Sequence, residues 1–445
     1  MGKYFGTDGV RGPANGKLNA HLAYKIGRFI GQYPNGKKTK ILIGRDTRIS
    51  GPMLAAALAS GITSSGGEVY IIDVTPTPAI SYLVGKHGFD FGVMISASHN
   101  PFYDNGIKIF APNGEKLSSE IELEIEKYID SPVDDLPLAS NNKIGQLILS
   151  NKLLDDYLDF LVSKAHCDLP KMRIAIDCAN GSAAATAKQL FIDRLHLNAD
   201  LFNDSYNGIN INDNCGSTHL KFLKEKVLEG QYNLGIAFDG DADRCLFVDK
   251  FGNTIDGDQV MYLNALNMKK HGLLTDDTIV LTVMSNLGLK KALAVNGLKF
   301  EEVTVGDKYV QACLKEKTLS LGGEQSGHII FYSDLNTGDG QLTAIHLLNV
   351  LADEKKTIKE LTKDLTILPQ TLKNIVVSNK EAIMEHQGLR DYIKEQEDAL
   401  NGNGRILVRS SGTEQLIRVM VEASNYQLCD EITNRIVSYI NDISY

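Results

Sequence analysis

Between residues 40 and 74 an apolar run (ILIG) gives way to a polar loop (RDTRISG). An Ala-rich segment with helical spacing (PMLAAALASGITSSG) and a second apolar run (EVYIIDV) follow. This alternation predicts strand, loop, helix and strand, a βαβ unit. The same order returns at 171–202 (MRIAIDCANGSAAATAKQLFIDRL, then NADLFN) and at 277–305 (DTIVLTVMSNLGLKKALAVNG, then LKFEEVTV). Three related α/β domains are expected. After each unit comes another short apolar run that stops at a polar loop: FGVMIS before ASHNP, LGIAF before DGDADR, and LSLGG before EQSGH. Open α/β sheets bind ligands beyond the carboxyl ends of their strands, so the three loops are expected to converge on one cleft. The last segment differs. After NGNG at 401–404, RILVR and LIRVMVEA bracket SSGTEQ and a helical pattern closes the chain, which predicts a smaller α+β domain. Periodicity lapses near 131–151, 250–253 and 366–370. Four domains are therefore expected at 1–150, 151–251, 252–367 and 368–445.

Composition narrows the function. A chain of 445 residues exceeds one ordinary domain, and 43% hydrophobic with 23% charged residues is a globular balance. A net charge of −9 disfavours a nucleic-acid binder, which needs a basic field, so any phosphate is expected to be bound locally. The six cysteines (Cys167, Cys178, Cys215, Cys245, Cys313, Cys429) lack the close pairing of metal or redox motifs and are expected to be free, buried thiols. No apolar run approaches about 18 residues, and the opening MGKYFGTDGVRG lacks an apolar signal stretch. A cytoplasmic protein without nucleic-acid or membrane partners is expected, as a monomer or a homodimer.

Asp239, Asp241 and Asp243 follow an apolar strand at alternate positions, and in an extended segment that spacing points three carboxylates one way. A hard divalent cation, Mg2+ foremost, would resolve their repulsion; a solvated acidic turn is the competing reading. In the segment from Ser96 to Pro101 a serine hydroxyl can serve as a nucleophile if a base or cation activates it. The alternative is that Ser and Asn cap the turn while His99 bonds to backbone. Near the C-terminus Arg409, Ser410, Ser411, Gly412 and Thr413 offer a guanidinium, hydroxyls and a flexible backbone, the parts of a phosphate site. Arg418 supplies a second cation or a solvated charge.

Taken in chain order, YFGTDGVRG (4–12), ISASHNPFYDNGIKIF (95–110), DGDADR (239–244), GGEQSGH (322–328) and RSSGTEQLIRVMVE (409–422) resemble the α-D-phosphohexomutases over essentially the whole chain. The resemblance implies a four-domain, heart-shaped α/β enzyme whose serine, Ser98 by its place in SHNP, carries a transferable phosphoryl group. By the same matching Asp239, Asp241 and Asp243 hold one Mg2+ together with the phosphoserine. Glu324 and Ser326, with Gln325 between them, grip the sugar. Arg409, Ser411, Gly412 and Thr413, supported by Arg418, hold the non-reacting phosphate. Arg11, His99, Lys108, Arg244 and His328 match active-site cations or proton-transfer groups.

The family's mechanism passes through a sugar bisphosphate that turns end for end, and implies glucosamine 1,6-bisphosphate or a related hexose bisphosphate as activator. Polar Gln325, where mannose- and glucose-directed relatives more often carry Met, fits the glucosamine-directed branch. A phosphomannomutase or phosphoglucomutase, a metal-dependent phosphatase and a non-catalytic sugar-phosphate sensor are the alternatives. Gln415 replaces the proline common after SGTE in relatives, which puts the rigidity of that loop in doubt.

Overall fold

A computed structural model describes residues 2–6, 8–34, 37–411 and 415–444. It divides into two compact units, Met1–Met284 with Lys299–Leu361, and Ser285–Leu298 with Thr362–Tyr445.

The first unit holds three sheets. In the seven-stranded sheet Lys40–Arg45 lies between Glu68–Val74 and Phe91–Ile95 and is parallel to both. The helix Gly51–Ser64 is the crossover, as expected, and Leu54, Leu58 and Ile62 on its inner face are buried in the core shared with Ile41 and Ile43. Asp104–Phe110 then returns antiparallel to Phe91–Ile95, and Gly9–Pro13 pairs with it in turn. Leu147–Leu149, inside the stretch where periodicity lapses, adds a parallel edge strand.

The five-stranded sheet repeats the plan, with Arg173–Asp177 parallel to Asn198–Phe202 and to Leu234–Phe238, and Cys245–Asp249 antiparallel. Its crossover departs from the expected α-helix. A 3-10 turn, Ser182–Ala185, leads into a wide-turned π-helix, Lys188–Arg194. The wider turn buries both Leu190 and Phe191, and Phe191 stacks on Phe238, the residue before the first aspartate of DGDADR. Thr254–Ile255 closes this sheet just past the boundary expected at 251. The four-stranded sheet sets Thr278–Thr282 parallel to Lys299–Val303 and Leu321–Gly323, with Ile329–Phe331 antiparallel.

In all three sheets a parallel strand therefore ends in a chemically loaded loop and returns as an antiparallel neighbour. The loops are 96–103, 239–244 and 324–328. Their equivalence, expected from sequence, is present in the topology.

In the second unit Gln370–Val376, Leu416–Glu422 and Arg405–Ser410 form a three-stranded antiparallel sheet packed on the helix Tyr426–Ile443 through Ile417, Val419, Cys429, Ile432 and Ile436. The crossover helix Leu287–Val295 belongs to this unit: its Leu287 N–H donates to Glu422 (2.9 Å), which also accepts from Arg405 Nε (2.8 Å). All six cysteines are free, five of them buried; Cys167 is exposed, against expectation. No helix among the described residues is long and apolar enough to cross a membrane.

Candidate active site

The serine loop begins where Phe91–Ile95 ends. Ser98 holds φ +51, a left-handed conformation that a non-glycine residue adopts only when its surroundings enforce it. Ser96 Oγ donates to Asp46 Oδ2 (2.6 Å) and accepts from Ser98 N–H (2.9 Å), so Ser96 is fully used inside the loop. Asp46 in turn pairs with Arg48, and both side chains are completely buried. The Arg48 guanidinium donates to the carbonyls of Ser98 (2.7 Å), Asn100 (2.8 Å) and Asp104 (3.1 Å), and to that of Pro101. Asn212 Nδ2 adds bonds to the carbonyls of Ser98 (2.9 Å) and Asn100 (3.2 Å). What remains outward is Ser98 Oγ, which donates to Asp239 Oδ2 at 2.7 Å.

The Asp46 and Arg48 clamp is a functional feature the sequence reading missed. Its signal was present, since RDTR closes the first parallel strand, Lys40–Arg45, at the end where ligands bind. Arg48→Met is expected to leave Asp46 as an unpaired buried carboxylate, costing about 3–5 kcal/mol, and to lower turnover as well. The double variant Asp46→Leu/Arg48→Met should recover stability in urea denaturation but not turnover. Recovery of both would show that the carbonyl clamp does not position Ser98.

The DGDADR loop is the hairpin between Leu234–Phe238 and Cys245–Asp249. The reading of an extended segment is corrected here: the loop is a tight turn with Ala242 at φ +58, and it is the turn that makes Asp239, Asp241 and Asp243 converge. One carboxylate oxygen of each lies within 4.8 Å of the others, and all three residues are buried. Gly240 packs so closely on the serine loop that a Cβ there would sit 2.5 Å from the Ser98 carbonyl oxygen. Only glycine brings the two loops to this distance.

Charges around the aspartates are asymmetric. Asp241 Oδ2 accepts from Lys108 Nζ (2.8 Å) and Thr77 Oγ1 (2.7 Å). Burial alone would raise its pKa, but Lys108 and Thr77 hold it below the ordinary carboxylate range. Asp239 has the Ser98 hydroxyl but no ammonium beside it, and burial with the nearby charges of Asp243 and Asp241 outweighs Arg244 and Ser98 and pushes its pKa well up. Asp241 Oδ1 and Asp243 Oδ1 are buried without a hydrogen-bond partner among the described residues. Three converging carboxylates, two of which carry an orphaned oxygen, fit a hard divalent cation, which favours the ionised form of Asp239 in place of a proton.

The surrounding cations come from adjacent strands. Lys108 stands opposite Met94 and Arg11 opposite Gly106 in the seven-stranded sheet. Lys108 also reaches Asp8 (3.0 Å) and Asp243 (3.7 Å), and Arg11 pairs with Asp8. His99 Nδ1 lies 3.5 Å from Ser98 Oγ and 3.2 Å from Arg244 Nη1. Burial, then the charges of Arg244 and Arg11, lower the His99 pKa to about 4, so the ring is a neutral acceptor at pH 7.

In the third loop Glu324 Oε1 accepts from Gly306 N–H (3.1 Å), and Ser326 is exposed. His328 is buried; its Nδ1 has no partner among the described residues and its Nε2 lies 3.8 Å from Asp307. Gln325, expected to face the sugar, instead donates its amide to Asp256 Oδ2 (3.1 Å), the carboxylate that caps the helix Gly257–Lys270. The third loop meets the second through Cys245 N–H donating to the Gly327 carbonyl (3.2 Å). Serine, aspartate and EQSGH loops are thus brought together in the first unit.

In the second unit Arg409 and Arg418 are directly opposed across Arg405–Ser410 and Leu416–Glu422. Burial and the charge of Arg418 lower the Arg409 pKa, the signature of two like charges suited to an anion. Lys380 Nζ, not singled out from sequence, donates to the Ser411 carbonyl (2.7 Å). Gly412 and Thr413 lie outside the described residues.

With this geometry in hand, the likeness to known proteins is specific. Models of the phosphoglucomutase/phosphomannomutase family match in all four parts: alpha/beta/alpha domain I at residues 2–134, domain II at 155–252, domain III at 256–367 and the C-terminal domain at 372–438. The chain belongs to this family of phosphohexomutases. Among similar proteins, the phosphoglucosamine mutase of Bacillus subtilis (strain 168) is 48% identical over 99% of this chain and 98% of its own. That of Bacillus cereus (strain AH187) is 47% identical with the same coverage. Among solved structures, a phosphoglucomutase/phosphomannomutase family protein from Burkholderia thailandensis superposes with a TM-score of 0.81 at 23% identity, covering 100% of this chain and 99% of its own. The Aspergillus fumigatus N-acetylphosphoglucosamine mutase, in complex with GlcNAc-6P and magnesium, gives 0.72 at 19% identity, covering 99% and 96%.

Proposed function

We propose that this isomerase interconverts glucosamine 6-phosphate and glucosamine 1-phosphate through a phosphoryl group on Ser98. The observation that carries the reading is the Ser98 hydroxyl, held on a left-handed turn 2.7 Å from Asp239 at the edge of the three-aspartate cradle. In the forward half-reaction a sugar hydroxyl oxygen attacks the phosphorus on Ser98, the P–Oγ bond breaks, and a sugar bisphosphate forms. The orphaned Nδ1 of His328 takes the proton of the attacking hydroxyl, and the departing Ser98 Oγ regains a proton from solvent. Arg11, Lys108 and Arg244 offset charge on the phosphoryl oxygens, which is most of what a protein does in this chemistry. Asp239, Asp241 and Asp243 hold Mg2+, which when bound supplies charge stabilisation at the transferring group. Glu324 and Ser326 orient the sugar, and Arg409, Arg418 and the Ser411 loop receive the distal phosphate. The bisphosphate turns end for end and returns its other phosphate to Ser98. A hexose bisphosphate primes the resting enzyme by the same transfer.

The choice of glucosamine rests on the 47–48% identical relatives rather than on Gln325, whose amide is engaged with Asp256. A site matched to a polar substituent discriminates strongly, because a wrong sugar leaves buried polar groups unpaired. The expected result is a higher kcat/KM for glucosamine 6-phosphate than for glucose or mannose 6-phosphate in a coupled assay with Mg2+ and trace bisphosphate. A ratio below one against either competitor would move the substrate to that hexose. Release of inorganic phosphate at the mutase rate would make the protein a phosphatase.

A further inference from the structure

Lys116, in the connection between Asp104–Phe110 and the helix Ser119–Asp130, belongs to none of the motifs described above, and it sits within an extended chain of alternating charges in the first unit. Its Nζ lies 2.8 Å from Asp8 Oδ1 and 2.5 Å from Asp307 Oδ2. On one side, Asp8 Oδ2 meets Lys108 and Arg11, and Lys108 meets Asp241. On the other, Asp307 lies 3.8 Å from His328 and follows Gly306, whose N–H holds Glu324. The order is carboxylate, ammonium, carboxylate, ammonium, carboxylate, imidazole, running from the aspartate cradle to the EQSGH loop.

Further bonds fix this connection in place. Lys315 pairs with Glu115 (2.8 Å), Asn336 Nδ2 donates to the Asn113 carbonyl (2.9 Å), and Ser81 Oγ donates to the Gly114 carbonyl (2.6 Å). The Lys116 ammonium therefore approaches two carboxylates from a braced backbone. Burial would lower its pKa, yet Asp307 and Asp8 raise it well above the usual lysine range. Against burial, Asp8 is held low by Lys108 first and then by Lys116 and Arg11, and Asp307 is held low by Lys116 foremost.

We propose that Lys116 is the positioning residue that ties the phosphoryl end of the site to its sugar end. By holding Asp8 and Asp307 together it sets Lys108 and His328 in one register, so that the loops that transfer phosphate and grip sugar stay aligned. This rests on the mutase reading above. Without the ammonium, Asp307 is a carboxylate that has lost its donor, and the His328 ring 3.8 Å away is drawn toward it. Misplacements of about an ångström cost on the order of 10²-fold in rate.

The test is a set of variants compared by steady-state kinetics and by the rate at which a hexose bisphosphate phosphorylates Ser98, read by intact mass. Lys116→Met is expected to lower kcat by on the order of 10²-fold and to raise KM, because both ends of the site lose their common anchor. Lys116→Arg, which keeps the charge, should recover most of both. Adding Asp307→Asn to Lys116→Met should restore part of the lost kcat, since it removes the stranded carboxylate; neighbours in one network are not additive. A purely structural lysine would lower the melting temperature while leaving kcat and KM of the folded protein unchanged, and its effect would add to that of Asp307→Asn. Either result would overturn the proposal. Should the parent protein prefer another hexose phosphate, the same comparison is made on that sugar, so a wrong substrate and a wrong role for Lys116 give different outcomes.

Discussion

Ser98→Ala is expected to lower mutase turnover by on the order of 10³-fold or more, the scale on which removing a covalent nucleophile acts. Neither Ser96 nor Thr77 can take its place. Ser96 Oγ is committed to Asp46 and to the Ser98 N–H, and it is completely buried. Thr77 Oγ1 is committed to Asp241. The substitution removes one oxygen and one hydrogen bond, and the loop's shape depends on carbonyl contacts with Arg48 and Asn212 that alanine keeps. The variant should therefore fold, with an unchanged thermal transition, and take up no phosphoryl group from a hexose bisphosphate. Near-parental turnover, or labelled phosphate mapping to Ser96, would show that the nucleophile has been misassigned.

Much of the first unit was legible in the chain because its signals are local. Short apolar runs marked Lys40–Arg45 and Glu68–Val74, helical spacing marked Gly51–Ser64, and abrupt polar stops marked the three loops. Two features were misread because they depend on what surrounds the segment. The aspartates converge through a turn with a positive φ at Ala242, a conformation that tertiary contacts impose and alternation of residue types does not encode. The wide-turned helix Lys188–Arg194 reads as ordinary helix in propensity, and only its packing of Leu190 and Phe191 selects the rarer geometry.

The missed residues share a different cause. Arg48, Asn212 and Lys116 act on groups far away in sequence, so no short motif frames them. Arg48 is fifty residues from the carbonyl it holds at Ser98, and Lys116 is 191 residues from Asp307. Gln325 is the converse. Its position in GEQSGH suggested a ligand contact, while the fold supplied it with Asp256, an acceptor sixty-nine residues away.

Removal of the divalent cation is the second change expected to silence the enzyme, and its cause lies in the uneven environments of the three aspartates. Asp241 is neutralised on one oxygen by Lys108 and Thr77, but Asp241 Oδ1 and Asp243 Oδ1 have no hydrogen-bond partner among the described residues, and Asp239 is pushed toward its protonated form. A bound cation would satisfy those oxygens and supply several kcal/mol of charge stabilisation during phosphoryl transfer. Chelation should therefore abolish turnover reversibly, with activity returning on addition of Mg2+. It should also lower the melting temperature, since a cation that binds only the folded state at about 100 times its Kd stabilises it by about 2.7 kcal/mol. In Asp239→Ala/Asp243→Ala the cradle loses two of its three carboxylates, so Mg2+ should raise neither activity nor melting temperature. The two readouts separate a catalytic metal from a structural one: restored melting temperature without restored turnover would leave the ion a structural role only. Full activity in excess chelator, or in the double variant, would remove the metal from the mechanism and leave the positive charge at the transferring phosphate to side chains such as Lys108, Arg11 and Arg244.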